Sequence, residues 1–235
     1  KYQHKRLKKP TQNPQKGFPM GHILKLIDCT RNPRDELLLL NMLGGSSRMS
    51  EPLHTLRSDI EGMNEWGELM IRLADPREGM VEWTDTNGVV KHGVRKDYFQ
   101  EVWKNEDLSA GHPLRQLQPR DTYGKRHPLY VGFKGMTFSD SNGANVFGYD
   151  PYGRAYDVNY LYWLDPRLGC RAYQVYEEYR NQYLLKNHNT GERKPAGWLK
   201  HPWLFINISN TDNYGRPLSY SSMQTIWENL LDRLY

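Results

Sequence analysis

Residues 35–56 read Asp35-Glu36-Leu37-Leu38-Leu39-Leu40-Asn41-Met42-Leu43-Gly44-Gly45-Ser46-Ser47-Arg48-Met49-Ser50-Glu51-Pro52-Leu53-His54-Thr55-Leu56. Three kinds of chain follow one another here. Upstream, Asn32-Pro33 punctuates the sequence, so Asp35 and Glu36 fall in a first turn, where acids meet the positive end of a helix. From Leu37 to Leu43 the chain is apolar nearly all round, which predicts a helix buried in a core. The Gly44-Gly45-Ser46-Ser47 run ends it, and a second helix is predicted from Arg48 to Leu56. Pro52 would fall in its first turn or so, where a missing N–H is tolerated. Arg48 then stands at a helix start, where its planar fork of donors and the backbone N–H groups could meet a phosphate. Glu51, three residues on, would share its face and cap the turn or orient a neighbour. A capped helix with a surface arginine is the plainer reading of the same spacing.

Working outward, Ile23, Leu24 and Ile27 form a short apolar stripe at helical spacing. Residues 68–73 and 81–84 have strand character, and the second stretch turns at Asn87-Gly88 into Val89 and Val90 as a hairpin. A helix is expected near residues 98–102, and residues 129–133 give a third strand signal that closes on Lys134-Gly135. Residues 139–160 read as loop. Pro166 opens a helix expected to reach Leu185, carrying Ala172, Val175, Tyr176, Tyr179 and Tyr183. Residues 203–207 read as a short buried strand or turn. Residues 219–235 form a final amphipathic helix with Met223, Ile226, Leu230 and Leu234 on one face. Helices, a few strands, then helices predict an α+β chain, mostly helical with a small antiparallel sheet.

A chain of 235 residues can bury a core without disulfide or metal staples. No apolar run approaches the roughly twenty residues a bilayer span needs, and no signal peptide opens the sequence, so a cytoplasmic protein with no membrane partner is expected. Cys29 and Cys170 lie far apart and outside any Cys-x-x-Cys pair, which excludes a cysteine zinc site and argues against a disulfide framework. The histidines show no metal-ligand spacing, so neither metal nor cofactor is expected.

The charge is unevenly placed. Lysines and arginines number 32 against 27 acids, for a net +5. Seven of those bases precede the first acid, Asp28, which leaves 25 bases against 27 acids in the remainder. Residues 1–17 thus read as a basic arm, with Lys5, Arg6, Lys8 and Lys9 its densest part and Pro10 and Pro14 keeping it extended. Such an arm either lies along a polyanion or is a solvated tail.

The stretch from Leu37 to Leu56 resembles the first conserved box of the tyrosine recombinase (phage integrase) family: an apolar helix, a small-residue turn, Arg-x-x-Glu and a Leu-rich continuation. Ser46 and Ser47 depart from the family's usual glycine and apolar residue before the arginine. Farther on, Pro202-Trp203-Leu204-Phe205 and Gly215-Arg216-Pro217-Leu218-Ser219, followed by a helix, are similar to the family's segment before its His-x-x-Arg element. The resemblance spans residues 18–235. It implies a partial catalytic domain with a recombinase-like fold, Arg48 holding a scissile phosphate and Glu51 supporting the structure. The catalytic lysine would be Lys134, in its strand–turn context, or Lys91, which is nearer Arg48 in sequence.

The resemblance also implies a partner, double-stranded DNA, and a tetramer on it. The second arginine and the nucleophilic tyrosine are expected beyond residue 235. His54-x-x-Arg57, His92-x-x-Arg95 and His112-x-x-Arg115 fit His-x-x-Arg but lie out of order. The implied function is site-specific DNA cleavage and rejoining through a 3′-phosphotyrosyl link, performed by the full-length enzyme, since the chain as read carries no nucleophile. The alternative is a catalytically inactive DNA-binding accessory protein that keeps the fold.

Overall fold

A computed structural model of the chain describes residues 20–134, 148–149, 155–156, 159–186, 198–209 and 212–234. Lys5, Arg6, Lys8 and Lys9 of the basic arm, and most of residues 139–160, lie outside the described residues.

The architecture is α+β. Helix α1 (Met20–Asp28) precedes α2 (Pro33–Leu39), which Asn32 caps by accepting the N–H of Asp35 at 2.9 Å, with Pro33 in the first turn. Leu37, Leu38, Leu39 and Leu40 are at most 1% exposed, as an all-round apolar helix requires. The helix does not stop at its regular end but widens into one π turn over Leu40–Gly44. In α1 the apolar stripe is turned from its expected setting: Ile23, Leu26 and Ile27 are buried, whereas Leu24 faces solvent.

Among the described residues, three small antiparallel sheets follow. Strands β1 (Ile60–Met63), β2 (Leu69–Leu73) and β7 (Asn159–Tyr160) form one in the order β1-β2-β7. Strands β3 (Met80–Thr84) and β4 (Val90–Val94) make the expected hairpin, with Gly88 at φ +80° in its turn. Strands β5 (Gly148–Tyr149) and β6 (Ala155–Tyr156) make a third pair. Helix α3 (Arg95–Val102) follows the hairpin directly.

Asp165 and Pro166 start α4 (Pro166–Tyr179), which also ends in a π turn, over Arg180–Leu184. Helix α5 (Tyr220–Leu234) buries Met223 and Leu230, with Ile226 and Leu234 partly buried. Helices α1, α2, α4 and α5 with β2 enclose one apolar core. A second, smaller core gathers Leu56, Val81, Phe99, Leu117, Leu129 and Trp203 beside the hairpin and α3. The segment 203–206 joins them: Trp203 belongs to the second core, and Leu204, Phe205 and Ile206 to the first. Tyr179 ties α4 to that segment, donating to Leu204 O and accepting from Ile206 N–H, both at 3.0 Å.

Three expectations are corrected. Within residues 139–160, read as loop, the described residues Gly148–Tyr149, Ala155–Tyr156 and Asn159–Tyr160 are paired in short strands. Arg48 begins no α-helix. Residues 48–51 form a turn closed by Glu51 N–H on Arg48 O at 2.9 Å, and only Pro52–His54 makes a 3-10 turn. Thr55 and Leu56 are extended, ahead of a second 3-10 turn at Arg57–Asp59, because groups a longer helix would bond internally go elsewhere: Thr55 O accepts from Leu204 N–H and Arg57 N–H donates to Pro202 O, at 2.9 and 2.8 Å. Residues 129–133 form no strand either. The N–H of Tyr130 goes to His127 O and that of Val131 to Arg120 O, and a side chain takes the carbonyl of Leu129, so the segment has little to offer a neighbouring strand.

Candidate functional site

The π turn that ends α2 sets the course of the chain towards Arg48. Gly45 N–H reaches back to Leu40 O at 3.0 Å, and Ser47 donates its N–H and its hydroxyl to Asn41 O at 3.2 and 2.7 Å. A Cβ on Gly45 would lie 2.5 Å from Leu161 Cδ2, so the backbone packs against that leucine without a side chain of its own. Ser46 then takes φ 56°, the left-handed region. This reversal brings Arg48 to the surface with its side chain 59% exposed.

Glu51 acts on Arg48 twice. One carboxylate oxygen accepts the backbone N–H of Arg48 at 2.8 Å, and the other accepts from its guanidinium Nη1 at 3.0 Å. Glu51 is itself largely sheltered, with a side chain 14% exposed, so the arginine is held from a fixed point. The pairing is that of a turn, not of two residues on one helical face.

Lys134 is exposed and lines a cleft that Ser50 of the Arg48 turn also lines, though Arg48 and Glu51 themselves do not. This cleft of about 410 Å³ is lined by Ser50, Tyr130, Gly132, Phe133, Lys134 and Tyr220. Its walls come from the Arg48 turn, from residues 130–134 and from the first residue of α5, three stretches far apart in sequence. His54 helps join two of them. Its ring meets Phe133 edge-on at 5.4 Å, and Nε2 makes a long 3.5 Å contact with Gly132 O. A carbonyl can only accept, so the proton belongs on Nε2. Burial, and then the charge of Arg120, pull the His54 pKa down to about 3, which keeps the ring neutral near pH 7.

Lys91 sits elsewhere. On β4 it pairs with Glu101 at 2.6 Å and Asp85 at 3.6 Å, and the Glu101 hydrogen bond raises its pKa. The groove it lines, between the hairpin and α3, shares no residue with the cleft.

The three early His-x-x-Arg patterns are taken up by the fold. Arg57 donates to Trp203 O at 3.4 Å, and Arg95 is buried against Asp59 at 2.5 Å. Arg115 donates to the carbonyls of Glu106 and Leu108. Among the described residues, no group of three or more His, Cys, Asp or Glu side chains could hold a metal ion, and Cys29 and Cys170 are free thiols.

Bonded to the segments that wall the cleft is a buried residue that sequence reasoning missed. Arg120 is 1% exposed, and no carboxylate pairs with it among the described residues. All three nitrogens donate to carbonyls: Nε to Leu129, Nη1 to Leu53 and Nη2 to Leu218, at 2.9, 3.0 and 2.9 Å. Its guanidinium carbon lies 5.4 Å from the centre of the Trp203 ring. Burial lowers its pKa to about 9, still protonated near neutral pH. Pro119-Arg120-Asp121 carries no motif that could have announced this, because the three acceptors are backbone atoms whose position only the fold sets.

No family model, no curated protein and no solved structure matches the chain.

Proposed function

We propose that this chain is part of the catalytic domain of a tyrosine-type site-specific DNA recombinase, with double-stranded DNA as its partner. The observation that carries the reading is that Lys134 and Ser50 of the Arg48 turn line one cleft. The turn that bears Arg48 and the segment that bears Lys134 supply two of its walls. Arg48, steadied by Glu51, would take a non-bridging oxygen of the scissile phosphate and stabilise the charge that builds in the transition state. Lys134, rather than Lys91 with its carboxylate partners, would protonate the leaving 5′-oxygen.

In the full reaction a tyrosine oxygen attacks phosphorus and the bond from phosphorus to the 5′-oxygen breaks. A 3′-phosphotyrosyl link forms, and the 5′-hydroxyl leaves with a proton. Because the covalent link keeps the phosphodiester energy, the reverse attack by a 5′-hydroxyl rejoins the strand without a nucleotide cofactor. Strand cleavage on this reading also requires the nucleophilic tyrosine and the second arginine that the resemblance implies. A cytoplasmic setting and a tetramer on DNA accompany this reading. No helix among the described residues is long and apolar enough to cross a membrane.

The test is Arg48→Ala in the complete protein. Covalent capture of a nicked duplex should fall at least about a hundredfold, while duplex binding, measured across a salt series, stays largely intact. Undiminished capture would overturn the recombinase reading. Salt-dependent binding with no capture by the unaltered protein would favour the inactive accessory role instead.

A further inference from the structure

A buried charge without a counter-charge is costly, because burial removes its hydration and only hydrogen bonds replace it. Arg120 accepts that cost without lining the cleft, bonded to the three segments from which the cleft's walls come. A methionine or leucine would fill the space beside Trp203 without it, so what the guanidinium adds must lie in its donors. Those donors converge on three carbonyls in three separate segments, each a few residues from a residue that lines the cleft. Leu53 follows Ser50 by three residues, just past the Arg48 turn, Leu129 adjoins Tyr130 in the Lys134 segment, and Leu218 precedes Tyr220 by two. Leu53 sits in the short 3-10 turn Pro52–His54, and Leu129 and Leu218 lie in no helix or strand, so no shared backbone pattern fixes the spacing of the three carbonyls. A planar fork with donors at fixed angles does fix it. The backbone adds one more link in the same place, with Val131 N–H on Arg120 O at 3.2 Å.

We propose that Arg120 is a positioning residue that sets the separation of Arg48, Lys134 and Tyr220, and so fits the cleft to a DNA phosphate held between the Arg48 turn and Lys134. This rests on the reading of that cleft as the phosphate site. It goes beyond that reading by assigning its geometry to a residue that touches no substrate.

Protection of Lys134 from acylation by bound duplex tests it. With duplex at about ten times Kd, about a tenth of the chains remain free, so Lys134 in the unaltered protein should be acylated about tenfold more slowly than without DNA. Arg120→Lys keeps the charge and loses the fork. Well below its melting temperature, and with duplex supplied at about ten times its own Kd, this variant should lose the protection, leaving a factor near one. A residue that only stabilised the fold would lower the melting temperature and leave the protection unchanged, so retained protection overturns the assignment of Arg120 alone. If the unaltered protein binds no duplex, or binds it without protecting Lys134, the DNA reading of the cleft fails and this inference fails with it. Should Arg120→Lys not fold, arginine-labelled NMR of the unaltered protein decides. Adding duplex should shift the Arg120 guanidinium signals and leave those of Arg34, buried beside Asp35, in place. An unmoved Arg120 overturns the proposal.

Discussion

Leu37 and Arg120 are buried almost equally, at 0% and 1% exposure, yet their neighbourhoods are held together by different means. Around Leu37 the contacts are apolar and non-directional. Helix α2 lies against α4, and charged groups stay at the edge, where Arg171 of α4 reaches Glu36 at 2.6 Å and Asp28 at 3.3 Å. Around Arg120 the second core is threaded with directed polar contacts. Asp59 accepts from Arg95, from Arg72 and from the N–H of Leu56, at 2.5, 3.3 and 2.7 Å. His201 donates to Gly215 O at 2.9 Å, and Arg120 spans its three carbonyls. The first neighbourhood can adjust to a changed side chain by small shifts. The second joins irregular segments whose backbone groups lack partners in regular structure, so each lost donor or acceptor leaves another group buried and unsatisfied.

The sharpest way to break the second region is Asp59→Ala. It leaves Arg95 and Arg72 facing each other without their shared carboxylate and strips the cap from Leu56. The expected loss is about 3–5 kcal/mol, seen as a lower midpoint in urea unfolding. In the first region Leu38→Ala removes packing alone and should cost about 3 kcal/mol. If the two losses came out equal, with unchanged m values, the distinction between the regions would rest on geometry and not on energy.

That distinction also decides how far the sequence could be read. The apolar core was legible because its residues recur at helical spacing. Leu37 to Leu40, Met223 with Leu230, and the hairpin around Gly88 follow from periodicity and turn chemistry. The cleft was legible only in part. The resemblance singled out Arg48, Glu51 and Lys134, and the last of these drew on a strand that does not form. No local pattern names Arg120, His201 or Asp59, because their partners are backbone atoms or side chains tens of residues away. The helix expected after Arg48 failed for a similar reason: pairing with residues 202–204, invisible to local propensity, took its backbone groups.

Acid should separate the regions again. His54 has a folded pKa of about 3 against an ordinary 6.5, because it is buried and faces Arg120 and Arg95, and burial drives His201 well below its ordinary value. Between those limits the unfolded chain carries protons that the folded chain does not, so stability is complete above about pH 6.5 and falls as the pH drops. For His54 alone the loss at pH 5 is about 2 kcal/mol. His54→Gln should flatten that part of the slope between pH 6.5 and 5 in denaturant titrations. An unchanged slope would mean that His54 is not held neutral.

The smallest effect lies where the two regions meet, at the turn between α2 and Arg48. Gly45 and Ser46 are adjacent but answer to different constraints. Gly45 lacks a side chain because Leu161 occupies the space, whereas Ser46 has room but holds φ 56°, a conformation that an L side chain adopts at a cost and glycine adopts freely. Ser46→Gly should therefore relieve the strain, offset in part by the greater freedom of glycine in the unfolded chain, for a net gain of about 0.5 kcal/mol in urea unfolding. The serine side chain is exposed, so no buried packing is lost with it. A loss of stability would mean that the left-handed turn is not what directs Arg48 outward, and the route from the buried helix to the cleft would have to be sought in the Ser47 bonds to Asn41 instead.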